Sequence, residues 1–258
     1  MAVPEQTAAF ISKSRAREPE MAYAEVFCPR PLRTRFALWG AVLFELREAA
    51  FELSDARPTE VKSAWWADEL LRSAQDAPRH PLMQALAAPQ LPWNALARGL
   101  LAVTQVEAQR PSDRDAALAS VAPLADGIAA VEAMLFDAKE TQAASRAIAV
   151  HLLGERLRVG LGAADGGRVP LALLARHGIT GAALTQPQGM PAAANWAAEL
   201  ATALPSDLAG AALYRRARAA FDAWFLRELA AERASGKLSS LRALRLAWRV
   251  ARQTRSAT

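Results

Sequence analysis

Glu45, Glu48, Glu52 and Asp55 recur at i, i+3, i+7 and i+10, a spacing that lines side chains along one side of an α-helix. Mg²⁺ takes oxygen ligands from one or two carboxylates together with substrate phosphates. Glu45, Glu48 and Glu52 are therefore candidates for holding a divalent ion against a diphosphate. The competing reading is a solvated acidic face. It is the preferred one, because the stripe lies nearly opposite the widest apolar side of the same helix, made by Val42, Leu46, Ala49, Ala50 and Leu53.

A second group is His151, Glu155 and Arg158, at i, i+4 and i+7 on one helix face, with Ala147 and Gly154 leaving room beside them. An imidazole, a carboxylate and a guanidinium so placed line a ligand pocket or close a satisfied buried network. A third lies in K-S-A-W-W-A-D-E-L-L, residues 62–71. Trp66 shares a face with Leu70, while Lys62, Glu69 and Ser73 fall within roughly 60° of Trp66 on the helical wheel. A helix that brings a cation and a carboxylate onto its aromatic face pairs them internally or points them into a cavity.

Several chemistries are missing. There is no G-x-S-x-G, H-E-x-x-H, P-loop or C-x-x-C. The three histidines make no local metal spacing, and His80 and His177 each sit beside a helix break, where a capping or surface role is expected. The G-x-G near Gly160 follows no strand, so it does not read as a dinucleotide loop.

The elements that position these groups read as helices throughout. The 258 residues are 52% apolar, dominated by Ala and Leu and poor in β-branched and aromatic types. Cys28 is the only cysteine, so no disulfide framework exists. No apolar leader begins the chain and no uncharged run of about 18 residues suggests a membrane span, so a cytoplasmic protein is expected. The pattern predicts roughly ten helices in one all-α domain over residues 1–258. Within it are a helix from Thr7 to Arg17, a long one from Leu32 to Leu53, another N-capped by Thr59, and one from about 140 to 160. The net charge of +5 rests almost wholly on arginine. Nucleic acid is not expected as a partner. In the last helix Leu241, Leu244 and Trp248 make an apolar side, with Arg242, Arg245, Arg249 and Arg252 beside it. Such a helix lies on an anionic membrane surface, at the inner face of a membrane, or docks on the core with a solvated basic rim. The second reading is preferred.

Taken in order, R-F-A-L-W-G-A-V-L-F-E-L, K-S-A-W-W-A-D-E-L-L-R, P-R-H-P-L-M-Q-A-L and G-G-R-V-P-L-A-L-L-A-R-H-G-I resemble the squalene/phytoene synthase family over roughly residues 8–255. The resemblance implies an all-α isoprenoid-synthase bundle around a central apolar cavity, with two aspartate-rich motifs holding Mg²⁺ and the substrate diphosphates. Counted from the landmarks, the first motif falls on R-E-A-A-F, Arg47 to Phe51, and the second on V-G-L-G-A, Val159 to Ala163. Only Glu48 is acidic there. Glu155 stands where an amide is usual, and Arg158 keeps the arginine before the second motif. The resemblance thus implies a degenerate member without catalytic residues or a resident metal. It would bind an isoprenoid or lipid-like ligand, or serve as an assembly or interaction factor for a partner protein, as one relative linked to respiratory complex I does. The alternative is an active prenyl-diphosphate transferase using Mg²⁺ on the substitute face of Glu45, Glu48 and Glu52. Lys62, Trp66, Glu69, His151, Glu155, Arg158 and Arg168 are the candidate cavity residues, Lys62 and Glu69 being expected to pair with His151, Glu155 or Arg158 across it.

Overall fold

The computed structural model describes residues 5–52, 56–106, 109–139, 142–160, 168–233 and 238–255. Among the described residues there are twelve α-helices and no strand, as the Ala/Leu-rich composition requires. Part of the second motif (161–163), the turn at 53–55 and the break at 235–236 lie outside the described residues.

The hub is α3 (Arg33–Arg47), which packs against α1 (Glu5–Arg17), α2 (Pro19–Phe27) and α5 (Pro81–Leu86). The run from Phe36 to Arg47 is buried except at Gly40. The helix is therefore covered all round, and polarity no longer marks a solvent side. Its last turn widens into a π-helical turn over Glu48–Glu52. The first helix ends at Arg17 as its sequence predicts, and Pro19 then opens α2 at its first position, where its missing N–H costs nothing.

The Trp65–Trp66 helix is α4 (Ala56–Ala74). It starts ahead of Thr59, which is buried within it rather than capping it. Trp66 and Leu70 are buried, as the wheel predicts. Beside α4 runs α6 (Trp93–Val106), which lies close against α7 (Arg114–Leu135). Two glycines permit that approach. A Cβ on Gly99 would stand 2.3 Å from the Pro123 carbonyl oxygen, and one on Gly127 would stand 2.7 Å from Leu96 Cα. Asp113 caps α7, accepting the Ala116 N–H at 2.9 Å. Among the described residues α7 alone is long and apolar enough to cross a bilayer, and more than half of it is buried in the core.

Next come α8 (Gln142–Gly160), α9 (Leu171–His177), α10 (Met190–Ala203), α11 (Leu213–Ala230) and α12 (Ser240–Arg255). Gly178 stops α9 at φ +62°, the left-handed position that glycine takes without strain. α8 packs against α7, α10 and α11, while α12 lies across α2 and α11. One continuous set of buried apolar side chains runs from Ile11 on α1 to Ala247 on α12.

Candidate functional site

Where α1, α2, α3, α8 and α11 converge, the interior holds charge rather than open apolar space. Arg47, Glu18, His151, Glu155, Arg218 and Asp222 are all buried there. Arg47 sits at the end of α3 and pairs with Glu18, which precedes α2. The Arg47 Nη1 also donates to His151 Nε2 at 2.7 Å. A guanidinium can only donate, so Nε2 accepts and Nδ1–H is left to donate to Asp222 Oδ1 at 3.2 Å. Arg218, one turn before Asp222 on α11, reaches three carboxylates: Asp222 at 3.1 Å, Glu18 at 3.1 Å and Glu20 at 2.7 Å. On α8, Arg158 Nη2 donates to Glu155 at 2.6 Å, and Arg17 stands 4.0 Å from the same carboxylate.

Four carboxylates (Glu18, Glu20, Glu155, Asp222) thus face four guanidiniums (Arg17, Arg47, Arg158, Arg218). Burial alone raises a carboxyl, because it disfavours the charged form. Here the guanidiniums outweigh it. Arg47 and Arg218 hold Glu18 below its ordinary range, Arg47 and Arg158 do the same for Glu155, and Arg218 for Asp222. The balance is imperfect: Arg47 Nε and Nη2, Arg158 Nε and Asp222 Oδ2 have no hydrogen-bond partner, a cost in a dry interior.

A separate opening lies elsewhere. A pocket of about 1470 Å³ sits between the C-terminal end of α2, the loops 136–139 and 204–212, α11 and α12. Phe27, Phe36, Phe136 and Tyr214 give it aromatic walls, while Arg30, Arg33, Lys139 and Arg216 outnumber Asp137 and Asp207 along its lining. Tyr214 stacks on Phe136 and meets Phe36 at 4.8 Å.

No family model and no curated protein matches the sequence. Solved structures do match. A dehydrosqualene synthase in complex with ligand covers 98% of this chain and 97% of its own at TM-score 0.68 and 18% identity. Squalene synthase HpnC from Alicyclobacillus acidocaldarius covers 97% and 94% at TM-score 0.53 and 14% identity. The fold is squalene/phytoene synthase-like.

In this squalene/phytoene synthase-like bundle three of the candidate residues meet: His151, Glu155 and Arg158 belong to the buried network. The others do not reach it. Lys62 pairs with Glu48 at 3.1 Å and Glu45 at 3.6 Å, so the pairing expected across the cavity is replaced by one with α3. Glu69 is fully buried and accepts the backbone N–H groups of Arg79 and His80, each at 2.7 Å. It fixes the P-R-H-P turn, not a cavity wall. Trp66 packs on His80 at 4.8 Å, and His80 caps α5 through Nδ1, which accepts the Leu82 N–H. Arg168 donates to the Gln109 carbonyl at 2.7 Å. Glu18, Arg47, Arg218 and Asp222 were missed as a set because they come from three distant stretches. The available signal was Arg47 at the end of the mostly apolar run that begins at Phe36.

The acidic stripe is also corrected. Glu45 is only 6% exposed, because α3 is wrapped by helices on every side. Lys13 on α1 reaches Glu48 at 2.6 Å and Glu45 at 3.2 Å. Two carboxylates thus already hold two ammonium groups. The side chain of Glu52, like Leu53 and Asp55, lies outside the described residues.

A Mg²⁺ site fits neither place. His151, Glu155 and Asp222 bring one donor atom each within 4.8 Å of one another, but the Arg47, Arg158 and Arg218 guanidiniums already bond to these same three side chains, with Asp222 Oδ2 left unpaired. A dication about 4 Å from one guanidinium is repelled by about 8 kcal/mol at an effective dielectric of about 20. In a network with no surplus of negative charge, little attraction remains to offset that.

Proposed function

We propose that this chain is a non-catalytic squalene/phytoene synthase-like protein that binds an isoprenoid or other lipid-like ligand. The supporting observation is Arg47. It stands at the first position of the stretch that the family resemblance assigns to a metal-binding motif, and its buried guanidinium pairs with Glu18 and His151. A fixed cation there supplies charge to the interior but no exchangeable coordination site. Ionising an allylic diphosphate needs metal-bound oxygens to take up the developing charge, and a guanidinium committed to a carboxylate does not replace them.

The ligand's place is the aromatic-walled pocket of about 1470 Å³, apolar within and fringed by arginine and lysine, suited to a long apolar chain with an oxygenated or anionic end. Thermal shift tests this reading. A neutral isoprenoid alcohol such as farnesol should raise the melting temperature without Mg²⁺, and Ala220→Trp, which fills the pocket wall, should abolish the rise. Binding that requires both a diphosphate and Mg²⁺ would overturn it, as would failure of apolar ligands of any length to bind.

The alternative, an active prenyl-diphosphate transferase with Glu45, Glu48 and Glu52 as a metal face, draws support from the burial of Glu45. It would require Lys13 and Lys62 to give up their carboxylates.

A further inference from the structure

The terminal helix α12 does not dock by the side its sequence suggests. Ala243, Ala247 and Val250 are the residues it buries, and it lies on α2 and α11. Leu246 also packs against the core, but three larger apolar side chains point away: Leu241 is 59% exposed, Leu244 38% and Trp248 49%. They lie at i, i+3 and i+7, so they form one stripe. Arg242, Arg245, Arg249 and Arg252 are exposed beside them, and the Arg252 guanidinium lies over the Trp248 ring at 4.8 Å. On the helical wheel the two sets together span about 160° of the outward side.

Charge complementarity says what covers that surface. α12 contains no carboxylate. The acids of the two helices beneath it pair with other arginines: Glu20 and Asp222 with Arg218, Glu25 with Arg15, and Glu228 with Arg233, Arg242 being the α12 residue that also acts on Glu228. The outward face is therefore cationic and apolar at once. A folded domain gains nothing from holding two leucines and a tryptophan in water. A tryptophan and leucines beside a row of arginines match the level in a bilayer where acyl chains meet phosphates.

We propose that α12 is a docking helix for an anionic lipid surface, inserting Leu241, Leu244 and Trp248 between headgroups while Arg242, Arg245, Arg249 and Arg252 engage lipid phosphates. Val250, Ala251 and Gln253 of the same helix line the large pocket. Docking thus brings the pocket's rim to the lipid layer, a consequence that rests on the ligand reading above; the docking itself does not.

Co-sedimentation of the full chain with vesicles tests the proposal. Binding is expected to phosphatidylglycerol-containing vesicles and to be at least tenfold weaker to pure phosphatidylcholine. The variant Arg245→Glu/Arg249→Glu should lose at least tenfold on the anionic vesicles. Leu244→Ser/Trp248→Ser, which leaves the buried alanines untouched, should do the same with an unchanged melting curve. A second measurement needs no destabilising change: lipids brominated near the headgroup should quench wild-type fluorescence more than that of Trp248→Phe. Equal binding to both vesicle types, retention by the charge-reversed variant, or equal quenching of wild type and Trp248→Phe would overturn the proposal. Stoichiometric capture of RNA that excludes vesicles would overturn it too, assigning the face to another polyanion.

Discussion

Removing Glu18 should cost the fold far more than removing Arg47, although each is the other's partner. In Glu18→Leu the Arg47 guanidinium stays buried with His151 Nε2 as its remaining hydrogen-bond partner, its Nε and Nη2 being already unpaired. Breaking a buried ion pair in this way costs about 3–5 kcal/mol. In a chain of this size that lowers the melting temperature by about 6–20 °C. In Arg47→Leu, Glu18 keeps Arg218 at 3.1 Å, and two unsatisfied donors disappear with the side chain. Each such donor costs about 1 kcal/mol or more, so the net loss should be about 1–2 kcal/mol. The double variant should recover about 2 kcal/mol relative to Glu18→Leu, since an apolar pair replaces an uncompensated cation. Urea unfolding followed by circular dichroism, with the slope checked for constancy, measures all three. Arg47→Leu as the more damaging single change, or a double variant no more stable than Glu18→Leu, would show that Glu18 does not compensate Arg47 in this way.

Acid should unfold the protein through the same groups. Glu18, Glu155 and Asp222 have carboxyls held below their ordinary values, so their contribution is fully present above the unfolded-state values near 4. It is lost as the pH falls further, where the unfolded chain binds more protons. The urea midpoint should be flat from pH 7 to about 5 and fall steeply below 4, less steeply in Glu18→Leu. Gly127→Val should cost at least 1–3 kcal/mol by forcing α6 and α7 apart, since its Cβ would meet Leu96 Cα at 2.7 Å; a variant as stable as wild type would contradict that contact. Cys28 is buried and its thiol is pushed up to about 11 by desolvation, so it should resist alkylation at pH 8 until the protein is unfolded.

Helix content and the order of the landmarks were legible because both depend on local pattern, above all Ala and Leu spacing, whereas the helix that Pro19 opens was not read from the sequence. The Trp66–Leu70 core face was legible for the same reason. Orientation was less so. A helical wheel ranks the sides of one helix, but α3 is buried on all of them, so Glu45 turned from a solvated acid into a buried partner of two lysines. In α12 the wheel picked the bulkiest apolar residues as the docking side, whereas close packing on α2 and α11 selected Ala243 and Ala247. The buried network was half visible. His151, Glu155 and Arg158 lie on one helix face and could be grouped, but Glu18 and Arg218 are 200 residues apart in the chain, and nothing local joins them.

If a balanced network of fixed charges fills the interior where diphosphate chemistry would need exchangeable metal, the purified chain should not ionise an allylic diphosphate. Incubated with farnesyl or geranylgeranyl diphosphate and Mg²⁺, it should release pyrophosphate no faster than the protein-free control. Release above that control, scaling with protein concentration, would show that the interior still supports the reaction.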